Sequence, residues 1–289
     1  MSLSSLLLAP FAKRFVAGTR ADQAIEAARR VNAQGLQAIL DFLGEDILSE
    51  KDTEAAVEEY ETLLEKIANA QVNAVISVKA SQMGALISPE LCLKNLTRVA
   101  KKAQQAKSFV WMDMEGSALT QRTLAAFEAL RAKYPNVGLC LQAYLVRTGG
   151  DIDRLAKSPL RVRLCKGAYK EPPEIAFTSK RAVDGNFRIL AGKLLDLTAR
   201  NVAPAIATHD PTLIADIKKM AEQRHVPPSR VEFQMLYGIQ NKRLVQLAQE
   251  GYPSAVYIPY GRAWLPYFLR RLRERRENWL FLLKNLHTS

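Results

Sequence analysis

Eight short runs of β-branched and apolar residues, each separated from the next by a longer stretch, constrain this chain more than any other feature. The runs fall at 36–42, 73–78, 108–113, 137–142, 161–165, 203–208, 231–235 and 254–259. Helical patterns lie between them at 49–70, 88–105, 120–133, 180–200, 211–223 and 242–250, and the short 146–159 interval, with Gly149-Gly150, leaves room for a brief helix only. Strand alternating with helix demands parallel pairing through right-handed crossovers. Eight repeats predict closure into a (βα)8 TIM-like barrel, which takes about 250 residues. The 289-residue chain is then expected to divide into an N-terminal helical arm at 1–35, the barrel at 36–276 and an extra C-terminal helix at 277–289. No Gly-x-Gly-x-x-Gly and no Walker loop follows any run, which disfavours a Rossmann domain or a P-loop.

Strands buried on both faces tolerate few polar residues, so the positions of those present are informative. Lys79 follows the second run, Asp113 and Glu115 end the third, and Gln142 ends the fourth. Arg163 lies inside the fifth, which runs into Lys166; Thr208-His209-Asp210 ends the sixth, and Tyr257 and Tyr260 belong to the eighth. In an α/β barrel those ends converge on one mouth, where this architecture holds its active sites. Each residue alone reads equally well as a capping or loop-anchoring group; such a series in register does not. Lys79 suits a Schiff-base nucleophile, a carboxylate clamp or the partner of an acid. A buried Asp113 needs a cation, so an interior Lys79–Asp113 ion pair is expected. Beyond the eighth run, Tyr267, Arg270 and Arg271 stand at i, i+3 and i+4 and share a helix face. That face offers forked donors to a carboxylate or phosphate, although Arg273, Arg275 and Arg276 continue the run as a solvated basic stripe would.

Lysine and arginine number 41 against 29 acidic residues, a net charge of +12 that suits an anionic partner: nucleic acid, anionic lipid or a phosphate-bearing cofactor. The three cysteines, Cys92, Cys140 and Cys165, show neither CxxC nor Cys/His spacing. They read as reduced structural thiols, and no metal is expected. The apolar run at residues 6–9 is too short for a signal or a span, so a cytoplasmic location is expected.

Two segments carry a specific resemblance: Arg163-Leu164-Cys165-Lys166-Gly167-Ala168-Tyr169, and Tyr257-Ile258-Pro259-Tyr260-Gly261 followed by Tyr267-Phe268-Leu269-Arg270-Arg271. Shorter matches accompany them in order: Phe42-Leu43-Gly44-Glu45-Asp46, Ser77-Val78-Lys79, Asp113-Met114-Glu115, Gln142-Ala143-Tyr144, Thr208-His209 and Phe233-Gln234-Met235-Leu236. Over roughly residues 10 to 276 the chain resembles monofunctional bacterial proline dehydrogenase, a flavin-dependent enzyme. The resemblance implies a distorted barrel holding FAD non-covalently over the strand ends. It implies oxidation of L-proline to Δ1-pyrroline-5-carboxylate by hydride transfer from C5 to flavin N5. By position, Arg270, Arg271 and Lys79 resemble the clamp for the proline carboxylate, with Asp113 orienting Lys79. Tyr169, Leu236, Tyr257 and Tyr267 match residues that box the ring, and Arg163 matches the arginine beside the flavin. Met114, Gln142, Lys166, Gly167, Ala168, Thr208, His209 and Gln234 match flavin contacts. Asp210 and Lys170 depart from the family's usual residues, which leaves the adenosine-side contacts open.

The same resemblance implies a quinone electron acceptor and, with no aldehyde dehydrogenase segment among these residues, a separate pyrroline-5-carboxylate dehydrogenase for the product. The arginines at 270–276, beside the apolar 278–284, suggest peripheral contact with the inner membrane face. The alternative reading, that the last helix packs on the barrel, stands beside it. Two other functions compete: a Schiff-base aldolase using Lys79 or Lys166, and a nucleic-acid surface on the basic charge. The second leaves the strand-end residues unexplained, and no nucleic acid is expected.

Overall fold

The computed structural model describes residues 12–274, with side chains as far as Leu269. Eight parallel strands form a closed barrel in sequence order, β8 returning to pair with β1. They are β1 (Gln37–Phe42), β2 (Ala74–Lys79), β3 (Val110–Asp113), β4 (Val137–Gln142), β5 (Leu160–Cys165), β6 (Val202–Ala207), β7 (Glu232–Leu236) and β8 (Ser254–Tyr260). Helix α1 (Ala21–Asn32) precedes β1. Then α2 (Glu50–Ala70), α3 (Pro89–Gln105), α4 (Ser117–Arg131), α5 (Thr148–Leu155), α6 (Lys180–Asp196), α7 (Pro211–Gln223), α8 (Asn241–Gln249) and α9 (Trp264–Glu274) follow the strands in turn.

Several helices start where the sequence supplies a cap. The side chains of Ser49, Ser88, Ser179 and Asp210 accept the backbone N–H of Asp52, Leu91, Ala182 and Thr212, satisfying donors at the N-termini of α2, α3, α6 and α7. Helix α4 begins three residues before its expected start at Thr120, because Gly116 caps it without a side chain that could signal the boundary. The expected helix 180–200 is α-helical to Asp196 and tightens into a 3-10 turn at Leu197–Arg200, ended by Asn201 at φ 60°.

Alternation along each strand separates two apolar environments. Ala38, Leu40, Ile76, Val78, Met112, Leu139, Leu164 and Ile258 face outward and join the helices in the main core. Ile39, Val75, Trp111, Ala205 and Ala255 face inward and plug the barrel interior. Gly138 belongs to the inner set, where a Cβ would come within 2.8 Å of the Phe109 and Trp111 rings. Farther along the strands the inner positions turn polar.

The barrel is distorted as expected, and the reason lies in its two ends. Helix α1 packs against β1 and β8, burying Ala24, Ala27 and Ala28 completely. It thus fills the outer groove where the helix after β8 would ordinarily lie. Helix α9 instead packs Trp264, Tyr267 and Phe268 with Phe15, Leu43 and Ile239, so it lies over the strand ends. No helix of the described residues is long and apolar enough to cross a membrane.

Candidate active site

A cavity of about 870 Å³ opens at the C-terminal ends of the strands, within the range of cofactor and small-ligand sites. Every residue given a site role by the resemblance whose side chain is described lines it. These are Lys79, Asp113, Met114, Gln142, Arg163, Lys166, Gly167, Ala168, Tyr169, Thr208, His209, Gln234, Leu236, Tyr257 and Tyr267. Arg270 and Arg271 fall within α9, but their side chains lie outside the described residues. Two other strand-end residues do not reach the mouth. Tyr260 is three positions from Tyr257 and faces outward, its hydroxyl donating to Glu59 at 2.9 Å. Glu115 is buried and accepts from the amide of Ser81 at 2.9 Å and from its hydroxyl, a structural role.

The cavity floor is an ionic network, and its wiring corrects one expectation. Lys79 and Asp113 are ladder neighbours, yet Lys79 Nζ bonds the Asp41 carboxylate at 2.6 Å instead. Asp113 is already engaged: Arg163 Nη1 donates to one oxygen at 2.5 Å and the Tyr257 hydroxyl to the other at 2.6 Å. Asp41 lies on β1 opposite Ser77, two residues back from Lys79, within reach of a long side chain and otherwise unpaired as a buried charge. Burial opposes the Lys79 charge, but Asp41, Asp113 and Glu45 outweigh it and push its pKa above the ordinary lysine value. Engaged in this ion pair, Lys79 is a poor Schiff-base nucleophile, which counts against the aldolase reading of Lys79. Arg163 is fixed on three sides, by Asp113, by Gln234 Oε1 at 2.6 Å and by Ser77 Oγ at 3.1 Å, and stacks over Trp111 and Tyr257.

At the rim, Lys166 sits between Asp184 at 2.5 Å and Asp210 at 3.1 Å. His209 Nε2 accepts the Leu236 amide at 2.9 Å, tying the ends of β6 and β7 together. Sequence reasoning missed Asp41, Cys140 and Cys165, all of which line the cavity. Asp41 left a trace, as a carboxylate inside an otherwise apolar run. The thiols left none, because pairing of β4 with β5 brings together residues far apart in the chain.

The residues present fit a large, partly anionic cofactor. Arg163 Nη2 and Gln142 Oε1 are buried without a partner among the described residues, so a donor and an acceptor beside the cavity await an occupant. Gly167 adopts φ +103°, and a Cβ there would lie 2.1 Å from the Tyr144 ring. Only glycine permits this turn, which carries the backbone along the cavity wall.

The family model described as proline dehydrogenase matches residues 24–283. Among curated relatives, proline dehydrogenase 1 of Bacillus subtilis is 39% identical over 275 residues, covering 95% of this chain and 90% of that protein. Proline dehydrogenase of Deinococcus radiodurans is 36% identical over 280 residues, covering 95% and 89%. The bifunctional protein PutA of Escherichia coli is 28% identical over 324 residues, but the match spans 24% of its length. Among solved structures, proline utilization A from Bdellovibrio bacteriovorus, inactivated by N-propargylglycine, superposes with a TM-score of 0.86 at 27% identity. The match covers 94% of this chain and 34% of that one.

Proposed function

This chain belongs to the proline dehydrogenase family, which carries out the first step of proline catabolism, and we propose that it oxidises L-proline to Δ1-pyrroline-5-carboxylate using non-covalently bound FAD. The observation that carries this reading is the cavity itself, where a charged Lys79, a fixed Arg163 and the apolar faces of Leu236, Tyr257 and Tyr267 share one space. In it, Lys79 joins Arg270 and Arg271 in holding the substrate carboxylate, while Tyr169, Leu236, Tyr257 and Tyr267 enclose the ring. Asp113 positions Tyr257 and Arg163, and the orienting of Lys79 belongs to Asp41. Met114, Gln142, Arg163, Lys166, Gly167, Ala168, Thr208, His209 and Gln234 would hold the flavin, the unpartnered atoms of Gln142 and Arg163 offering complementary bonds. When bound, the flavin supplies at N5 the acceptor for hydride from proline C5, which no side chain can replace. The protein's own contribution is placement: a clamped carboxylate fixes the ring's reacting edge, and such orientation supplies several kcal/mol.

In this reading residues 36–276 make the catalytic unit, working in the cytoplasm. Electrons pass to a quinone, and the product to a separate pyrroline-5-carboxylate dehydrogenase. Beyond the clamp, Arg273, Arg275 and Arg276 with the tail at 277–289 would meet an anionic membrane surface; residues from 275 on lie outside the described residues. Co-sedimentation with anionic liposomes that is equal with and without residues 278–289 would remove the tail from that role. For the main reading, the purified protein should be yellow, release its chromophore into acid supernatant and bleach on adding proline under anaerobic conditions. A colourless protein with no proline-dependent dye reduction when supplied with FAD overturns the reading; colour retained on the acid pellet overturns the non-covalent attachment.

A further inference from the structure

Cys140 and Cys165 stand on neighbouring strands with their sulfurs 3.6 Å apart, and both line the cavity. Neither is in a disulfide, and Cys92 is buried elsewhere, against the Ala80 carbonyl. Alternation explains the meeting: Cys140 is inward on β4, its ladder partner is Arg163 on β5, and Cys165 is the next inward residue along β5. The Cys140 thiol donates to the Cys165 sulfur. Burial works against charge at Cys165, but that hydrogen bond, the Gly167 amide and the Arg163 guanidinium together draw its pKa below the ordinary thiol value. Cys140 moves the other way, raised by the same hydrogen bond and by burial. Cys165, the more accessible of the two, is placed to meet a solute in the cavity, and the buried Cys140 to follow as the resolving thiol.

We propose that Cys140 and Cys165 are a redox-active dithiol in the wall of the active-site cavity, closed by hydrogen peroxide to an intramolecular disulfide that reversibly shuts the site. The Cys165 thiolate attacks the peroxide oxygen, the O–O bond breaks, and one proton is taken up to give sulfenic acid and water. The Cys140 sulfur then attacks the sulfenic sulfur; the S–S bond forms, its thiol proton is lost and the hydroxyl leaves as a second water. In total, two thiols and one peroxide become one disulfide and two waters, the two sulfurs supplying two electrons. Any dithiol reductant reverses the bond.

The consequence for activity follows from what adjoins the pair and rests on the function proposed above. Closing the gap from 3.6 Å to the ~2.05 Å of a disulfide draws the inner edges of β4 and β5 together. The movement falls directly below the flavin cradle: Ala143 N–H donates to Cys165 O at 2.8 Å and Tyr144 N–H to Lys166 O at 2.9 Å. The Tyr144 ring fills the space a Cβ on Gly167 would need, so this turn has little room to adjust.

The test treats the flavin-loaded protein with hydrogen peroxide, alkylates it under denaturing conditions and measures intact mass. With three cysteines in the chain, the reduced protein takes three labels and the oxidised protein only the one at Cys92, three returning after dithiothreitol. Three labels after treatment, or a mapped disulfide that includes Cys92, overturn the proposal. In C140S the resolving thiol is gone, so a dimedone adduct should accumulate on Cys165, whereas C165S should give none; an adduct on Cys140 instead would overturn the assigned roles. Proline turnover should fall and recover in parallel with the label count, and a disulfide that leaves turnover unchanged overturns the gating. Because labels are counted independently of turnover, a protein inactive toward proline would refute the functional reading without touching the bond.

Discussion

Replacing Asp41 with asparagine tests the wiring of the cavity floor. The substitution keeps the shape and an acceptor oxygen but removes the negative charge 2.6 Å from Lys79, whose side chain is only 8% exposed. Two unit charges about 4 Å apart interact by roughly 4 kcal/mol at an effective dielectric of about 20. Removing one partner of a buried pair typically costs about 3–5 kcal/mol. Asp113 and Glu45 still favour the ammonium, so the lower end applies, about 3 kcal/mol. At about 2–4 °C per kcal/mol, melting should drop by roughly 6–12 °C. The diagnostic step is the cycle with K79M. If the stranded charge is what costs, K79M in the D41N background should recover most of the loss, a coupling of about 2 kcal/mol or more by urea denaturation. Additive effects, or a D41N cost below about 0.5 kcal/mol, would refute the claim that Asp41 anchors Lys79. D41N should also raise KM for proline more than it lowers kcat, because a loosened Lys79 weakens the proposed carboxylate clamp.

G167A should cost about 1–3 kcal/mol from the left-handed backbone alone, before its clash with Tyr144, and should lower the flavin-to-protein absorbance ratio; an unchanged melt and spectrum would count against the tight turn. R270A and R271A should each weaken proline binding by about 2–4 kcal/mol while leaving flavin bound, read as KM against the absorbance ratio; unaltered proline kinetics would remove that arginine from the clamp. Burial opposes charge at Asp184 and Asp210, but Lys166 at both and Lys180 at Asp184 outweigh it, leaving both below their ordinary 3.8. Their folded forms bind fewer protons than the unfolded chain, so this contribution is complete above the ordinary value and is lost as pH falls through the lower folded value. Urea midpoints should therefore decline on acidification below about pH 4, less steeply in D184N, and an equal slope in D184N would refute the assignment.

The fold was legible because parallel barrels write themselves in a repeated code, and these eight runs kept it to within a residue or two. Helix starts marked by Ser49, Ser88 and Ser179 were legible for the same local reason, whereas Gly116 gives no sign that α4 begins beside it. The cavity lining could be read because polar residues at strand ends break an apolar pattern. What could not be read was partnership. Lys79 faces Asp113 on the ladder, and only the third dimension shows that Arg163 and Tyr257 hold that carboxylate. Parity alone would have excluded Tyr260, since residues three apart on a strand face opposite ways. The meeting of Cys140 with Cys165 depends on register between strands, which no spacing along one strand contains.

Helix α1 carries a consequence for how the chain assembles. It is synthesised before every barrel strand, yet β8, one of the two strands it covers, follows all the others. Until β8 arrives, the alanine face of α1 has half its seat, and the outer side of β1 has no closing neighbour. Completion is thus a head-to-tail event: the Ala17 amide donates to Pro259 O at 2.9 Å, and the Gly261 amide to Gly18 O at 2.9 Å. Contacts of such sequence separation form slowly and leave apolar surface waiting in the interim. A ribosome-bound chain that stops short of residue 254 should be a client for holding chaperones, and emergence of the last strand should end that dependence.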